Sequence, residues 1–374
     1  FGTRLQGGED SASERYIFTQ LNDITKKIYI DADNDVLNYL DDDGTPVEPE
    51  FYVPIIPMIL VNGSKGIGTG FSTDIMCYNP KEIIRYIKEM LDDNNSNTEI
   101  DPYYEGFKGD IIKLDENKYL FKGKYEYVKN NVIRITELPI ETWTDNYKAF
   151  LDSLMDTSDS KKKKKPIIKD YKDMSTEKVV DIYVSLQNGI YESYSSKMVD
   201  ENINMLEKTL KLTTTKTNTN MHMFNEEQQL RKYKNIYEII HNFMKVRLNY
   251  YGKRKEYILQ KLEREMKILS NKARFIEMQC NDELDLRKKN KNSVIQLLKS
   301  LEFDAIDDDN EYKYLRNMSI DSVIEENINK LKKERDLKIK EYNDLKNKTI
   351  KTLWYEELEN LEKEYEKYLE NRNR

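Results

Sequence analysis

The chain has 374 residues, 34% of them charged and 38% hydrophobic, with a formal net charge of −7. That length exceeds one compact core and predicts two or three domains, and the charge content predicts long solvated helices over part of the chain. Two cysteines in unrelated contexts, Cys77 and Cys280, exclude a disulfide framework or a CxxC metal site; two histidines, His222 and His241, exclude a histidine-rich metal centre; and no apolar run is long enough to span a membrane. An acidic chain has no global footprint for nucleic acid, although a net value can hide local basic patches. The first residue is Phe1, not Met, and it opens inside a dense motif. The chain is therefore expected to continue upstream, with further essential groups there.

Residues 1 to about 57 form a first region. Ser13 to Phe18 with Leu21 predict a short helix, Ser13 being its candidate cap. Lys27-Ile28-Tyr29-Ile30 is rich in β-formers and predicts a strand. Asp33-Asn34-Asp35 fits an Asp-x-Asp pattern formally and reads as a polar surface segment. Asp41-Asp42-Asp43-Gly44 predicts a hairpin tip.

Pro54 to Val61 is apolar but carries two prolines, which predicts an extended buried segment. A glycine cluster follows from Gly63 to Gly70, then a helix at 80–92 and short strands at 109–113, 118–122 and 131–136. Mixed α and β character continues to about 235. Lys161 to Lys165 repel one another and predict a solvated loop.

The third region changes period. Ile239, Phe243, Val246 and Tyr250, then Leu262, Met266, Leu269, Ala273 and Ile276, recur at steps of four and three. Ile328, Leu331, Tyr342, Leu345, Ile350, Leu353, Leu358, Leu361 and Tyr365 repeat this less regularly. Two apolar stripes flanking a less regular stretch, about 280–325 with Asp307-Asp308-Asp309, predict an antiparallel coiled coil with a small distal cap. Taken alone, this region reads as a spacer or dimerisation rod.

A tyrosine can act as a nucleophile, and attack on phosphorus needs a cation or metal to neutralise developing charge. Arg15 beside Tyr16 supplies such a cation, but Tyr16 is one of 27 tyrosines, and an Arg-Tyr pair is usually packing. Ile67 stands between Gly66 and Gly68. By itself that pattern reads as a tight turn with a buried side chain, and the glycine cluster could also be a phosphate-cradling turn, which would demand a helix immediately after that is not evident.

The string from Phe1 through Gly7-Gly8 and Arg15-Tyr16 to Thr19 resembles the active-site segment of the eukaryotic-type type IIA DNA topoisomerases. The resemblance implies that Arg15 and Tyr16 are the catalytic pair and that Arg4, Gly7 and Gly8 lie near the DNA backbone. Glu48 to Gly70 resembles the family's DNA-gate segment, which implies that Ile67 wedges between base steps and that Lys65 meets DNA. Tyr104 to Gly109, Glu137 to Thr144 and Ile168 to Tyr171 resemble its tower domain, with Trp143 close to DNA. Lys211 to Thr215, running on to Phe224, resembles a DNA-contacting segment, which implies Lys211, Thr213 and Thr214; His222 has no catalytic counterpart and reads as structural. Arg247 to Lys255 and Ala273 to Ile276 resemble the first coiled-coil arm. Tyr312 to Ile320 resembles the dimer gate, with Asp321 where the family usually has an aromatic.

The implied fold is α+β: part of a winged-helix domain with the tyrosine at 1–57, a mixed α/β tower domain at 58–235, and a long antiparallel coiled coil with a small dimer gate at 236–374, the gate about 280–325. The implied function is double-strand cleavage and religation through a 5′-phosphotyrosyl intermediate, with passage of a second duplex. The resemblance implies double-stranded DNA and a second copy of the chain as partners, no membrane, and a nuclear location. Mg²⁺ and ATP are expected in upstream metal-binding and ATPase domains, outside this chain, so the chain alone is expected to be inactive. The rivals are a structural coiled-coil protein and a non-catalytic winged-helix DNA binder. From Lys245 to Arg274 there are ten Lys/Arg and three Asp/Glu. That excess suits contact with a passing duplex, and suits a solvated helix face more often.

Overall fold

The computed structural model describes residues 2–92, 96–155, 166–307, 309–318 and 325–372. The Lys161–Lys165 run, Asp308, Asp321 and the Ser319-Ile320 end of the gate motif lie outside the described residues. The chain folds as two compact units. One comprises Phe1–Asn22, Pro57–Tyr86 and Ser96–His241; the other comprises Asp23–Ile56, Ile87–Asn95 and Asn242–Arg374.

The first unit is built on β-structure. An antiparallel sheet orders its strands Lys124–Lys129, Val132–Glu137, Ile182–Leu186, Ile168–Asp173. Along Val132–Glu137 the residues alternate, so Ile133, Ile135 and Glu137 all turn inward. Helix Thr144–Met155 lays Tyr147 and Leu151 on that face, where Ile182, Val184, Leu206, Leu210 and Leu212 complete a core. The Tyr147 hydroxyl is buried with them and donates to the Leu210 carbonyl at 2.8 Å. A second antiparallel sheet orders Thr213–Thr217, Lys118–Lys122, Asp110–Asp115. Ser64–Gly68 and Phe71–Ile75 form a separate hairpin, with Lys65 opposite Asp74 and Ile67 opposite Ser72. Its return strand is tied by the Asp74 N–H to the Asn220 carbonyl at 2.8 Å, and Asn220 Nδ2 donates to Ser72 Oγ at 2.9 Å.

The second unit is mainly helical. The Ile236–Cys280 helix enters it at Asn242, and Glu325–Asn347 and Ile350–Arg372 follow after the short Lys291–Ser300 and Lys313–Arg316 helices. Lys332 pairs with Glu277 at 3.2 Å, Lys338 with Glu265 at 3.3 Å, and the Tyr342 hydroxyl with Glu263 at 2.6 Å. As one helix number rises the other falls, so the two run antiparallel. At 280–318 a small cap packs Leu284, Val294, Leu298, Phe303, Tyr312 and Leu315 around Phe275 of the Ile236–Cys280 helix. Among the described residues no helix is long and apolar enough to cross a membrane.

The helix at 80–92, the three strands at 109–136 and the hairpin tip at Asp41–Gly44 form as their patterns predict. Four local expectations fail. Around Ser13 there is only a single 3₁₀ turn, Glu14–Tyr16, and the Ser13 side chain caps nothing. Tyr16, Phe18 and Leu21 are exposed, so no buried face stabilises a longer helix. Thr25–Ile28 is a helical turn and not a strand, because no neighbouring strand pairs with it. Pro54–Val61 is extended only to Pro57, after which Met58–Asn62 is helical and buries Leu60. The apolar repeat of the second arm also hides a break at Lys348-Thr349, where the Thr349 hydroxyl accepts the Thr352 N–H at 3.0 Å.

Asp33 corrects the reading of residues 33–35 as a surface segment, because its carboxylate is buried. Arg247 Nη2 meets Asp33 Oδ2 at 2.8 Å, and Arg254 Nη1 meets Asp33 Oδ1 at 3.2 Å. Arg254 Nη2 also reaches Glu357 Oε1 at 2.6 Å, whose other oxygen accepts from the Tyr251 hydroxyl at 2.5 Å. Residues 247, 251 and 254 share one helix face, and the Tyr251 ring lies under both guanidinium groups at 4.1 and 4.6 Å. Next to them Trp354 is fully buried and donates its indole N–H to the Ile55 carbonyl at 2.9 Å. Two cations of the basic Lys245–Arg274 stretch are therefore internal, neither solvated nor offered to DNA.

Candidate active site

The site starts from a loop that folds on itself. The Thr3 N–H donates to Asp10 Oδ1 at 2.8 Å, and the Gly8 N–H donates to the Thr3 carbonyl at 2.9 Å. Gly7 has φ +66°, and a Cβ there would come within 2.3 Å of the Trp143 ring. Only glycine allows both that backbone angle and that approach. Trp143 thus supports the loop as a half-buried platform. Beside it the Asp145 N–H donates to the Leu5 carbonyl at 3.0 Å, and Gln6 Nε2 donates to Asp145 Oδ2 at 3.1 Å.

Arg4 is committed inward. Its guanidinium pairs with Glu137, which is 1% exposed and also accepts the Lys108 N–H at 3.1 Å and the Leu138 N–H at 2.9 Å. Arg4 therefore clamps the loop to the sheet. Sequence reasoning assigned Glu137 no such role, although its inward place in an alternating strand marked it as a buried carboxylate needing a cation.

Downstream of the loop, the Glu14–Tyr16 turn is closed by the Tyr16 N–H on the Ser13 carbonyl at 2.9 Å. Tyr16 is 70% exposed, and the Arg15 guanidinium carbon lies 5.0 Å from its ring centroid. The phenol is open to an incoming group, with a cation already beside it.

Ile67 is 94% exposed on the glycine hairpin, which rules out the tight turn with a buried side chain. At the base of this hairpin Lys65 pairs with Glu141 at 2.6 Å. Glu141 also accepts from Lys216 at 2.5 Å, and Lys216 reaches Asp74 at 2.9 Å. Burial pushes the Glu141 carboxyl up, but the hydrogen bonds from Lys216 and Lys65 outweigh it and hold it below the ordinary carboxylate value. Burial likewise lowers Lys216, and its hydrogen bonds to Glu141 and Asp74 outweigh that and raise it. Neither Glu141 nor Lys216 was singled out from the sequence.

Of the remaining candidates, Lys211 is exposed and the two threonines are half-buried. Lys211 has φ +50° and lays its ammonium 4.3 Å from the Phe150 ring centroid. Thr213 and Thr214 are half-buried on a strand paired with Lys122 and Phe121. His222 bonds through Nδ1 to Asn220 at 3.0 Å, and His241 bonds to the Tyr86 hydroxyl at 2.9 Å. Among the described residues, no group of three or more His, Cys, Asp or Glu could hold a metal ion.

An exposed phenol with a guanidinium over its ring thus follows a glycine loop on a mixed α+β core. The chain matches the DNA gyrase/topoisomerase IV A-subunit family over residues 1–359, and it belongs to that family. It is 38% identical to DNA topoisomerase 2 of Arabidopsis thaliana, covering 98% of this chain and 27% of that protein. It is 37% identical to DNA topoisomerase 2 of Acanthamoeba polyphaga mimivirus, covering 98% of this chain and 33% of that protein. The crystal structure of the Plasmodium falciparum topoisomerase II DNA-binding, cleavage and re-ligation domain superposes with a TM-score of 0.87 at 34% identity, covering 100% of this chain and 52% of that one. The chain thus spans about a quarter to a third of the length of these two curated relatives.

Proposed function

We propose that this chain is the strand-cutting and resealing part of a type IIA DNA topoisomerase, with Tyr16 as its nucleophile. The exposed Tyr16 side chain with the Arg15 guanidinium over its ring carries the reading. The Tyr16 oxygen bonds to phosphorus as the bond from phosphorus to the 3′-oxygen breaks. The phenolic proton leaves, and the 3′-oxygen takes up a proton to become a hydroxyl. One phosphodiester replaces another, so reversal needs no separate energy source. Arg15 offsets charge that develops on the phosphoryl oxygens. Both strands of a duplex must be cut, which calls for two copies of the chain under two-fold symmetry.

The rest of the surface fits this role. Ile67 would wedge between base steps, unstacking them at a cost of roughly a few kcal/mol that wrapping offsets. Gly7, held on Trp143, and Gly8, in the loop that Arg4 clamps, would present backbone to the DNA strand, with Lys65, Lys211, Thr213 and Thr214 as further phosphate contacts. In domain terms, residues 1–57 would be the winged-helix part and 58–235 the tower. Residues 236–374 would be a coiled coil with a dimer gate near 280–325, through which a second duplex leaves. The antiparallel helices support that assignment.

Mg²⁺ and ATP, which the family reading calls for, would bind outside the described residues. The carboxylates near the site do not suit a metal: Glu137, Glu141 and Asp74 already hold Arg4, Lys65 and Lys216. Nuclear residence is the expected location.

The test is a denaturant-stable covalent protein–DNA adduct, formed by the protein that carries this chain with its flanking segments. Tyr16→Phe should abolish the adduct, whose DNA is attached through a 5′-phosphate, and leave non-covalent binding in place. A structural rod or a non-catalytic DNA binder would form no adduct with either protein. An adduct that survives Tyr16→Phe would refute Tyr16 as the nucleophile.

A further inference from the structure

We propose that Glu141 is a positioning residue that aims the Ile67 hairpin by holding the two lysines at its base. This rests on the reading of Ile67 as the side chain that enters DNA. Ile67 is almost wholly exposed, and Gly66 and Gly70 have open space where a Cβ would be. On the return strand Phe71 packs against Phe224 with ring centroids 6.1 Å apart and Asn220 holds Ser72, while the strand that carries Ile67 reaches outside the hairpin through Lys65 at its base.

There Lys65 and Asp74 face each other across the two strands. Lys65 reaches Glu141 Oε2 at 2.6 Å, and Asp74 Oδ1 is 2.9 Å from Lys216, whose ammonium also lies 2.5 Å from Glu141 Oε1. Each strand of the hairpin is thereby tied, one directly and one through Lys216, to a single carboxylate outside it. Lys216 is mostly withdrawn from solvent, with its side chain 9% exposed. Its charge therefore depends on these two partners more than a surface lysine's would.

The backbone at Glu141 adds a second observation. Its φ is +66°, a left-handed conformation that residues other than glycine adopt at a cost. The turn that holds it is closed by the Thr142 N–H on the Pro139 carbonyl at 3.0 Å and leads directly into Trp143, the platform under Gly7. One rigid turn therefore serves both the wedge hairpin and the glycine loop.

The alternative is that Lys65 and Lys216 act only as phosphate contacts that Glu141 partly neutralises. Binding and bending separate the two readings. The assay uses the protein that carries this chain with its flanking segments. A short duplex labelled at both ends with a fluorescence donor and acceptor is held at saturating protein, and a salt titration of affinity is run alongside. Glu141→Gln keeps the size of the side chain but loses its charge and one of its two acceptor oxygens. We expect a several-fold lower bent fraction at saturation. Affinity should be unchanged or tighter, and the salt slope steeper by up to about 1, because exposed Lys65 is freed for phosphate while Lys216 keeps Asp74. Ile67→Ala should lose the bend outright. If Glu141→Gln bends DNA as fully as the wild type while Ile67→Ala does not, the positioning role of Glu141 is overturned and the wedge reading stands. If Ile67→Ala bends DNA fully, the wedge reading itself fails and takes this inference with it.

Discussion

Arg4 and Arg15 belong to the same short stretch of chain and have different fates. Arg15 lies over the ring of its neighbour Tyr16, a relation between adjacent residues that the sequence alone makes visible. Arg4 is engaged by Glu137, a partner 133 positions away, and no local pattern discloses it. The same contrast holds for the lysines at the hairpin base, whose Glu141 comes from a distant turn. Gly7 and Gly8 are equally unreadable in sequence, since both simply look like loop glycines. In the structure only Gly7 abuts Trp143, while Gly8 at φ +91° faces open space. Gly7→Ala should therefore destabilise the fold by about 1–3 kcal/mol for backbone strain, with the clash added, and Gly8→Ala by the strain alone. Urea unfolding of the two variants tests this; equal losses would mean that the Trp143 contact does not constrain the loop.

Elements with a clear period were legible, and elements defined by a few local cues were not. The strand at Val132–Glu137 and the helix at Pro80–Leu91 carry enough alternating or stepped apolar residues to declare both type and buried face. Ser13 to Leu21 offers a cap and aromatics but no face to bury, and Lys27 to Ile30 offers β-propensity without a partner strand. The helix face at Arg247, Tyr251 and Arg254 was legible as a helix but not as an internal ion site, because Asp33 reaches it from another region of the chain. Breaking such a buried pair by deleting one member costs about 3–5 kcal/mol, because charges are left unpaired. Asp33→Ala should show a loss of that order by urea denaturation, and exposed Asp35→Ala one within about 0.5 kcal/mol. A loss near zero for Asp33→Ala would mean that the two arginines find other partners.

At the level of the whole molecule, the resemblance was legible in order along nearly the full chain, but the division into two units was not. Sequence suggests consecutive regions, whereas the chain passes from one unit to the other after Asn22, Ile56, Tyr86, Asn95 and His241. The segment Asp23–Ile56 draws its buried partners from residues beyond 241: Arg247 and Arg254 for Asp33, Trp354 for the Ile55 carbonyl. A polypeptide ending at His241 should therefore keep slow amide exchange in the sheet core around Ile133 and Ile182 and lose it across 23–56. Protection retained across 23–56 would show that this segment is stable by itself.

The separation of Asp33 from its partners also has a consequence for biosynthesis. Asp33 precedes Arg247 by 214 residues, so at about 5–20 residues per second a ribosome takes on the order of 10–40 s to deliver the first guanidinium after the carboxylate. Until then the nascent Asp23–Ile56 segment has neither its ion partners nor Trp354 to cover it. It is the stretch of this chain that a chaperone would be expected to shield first.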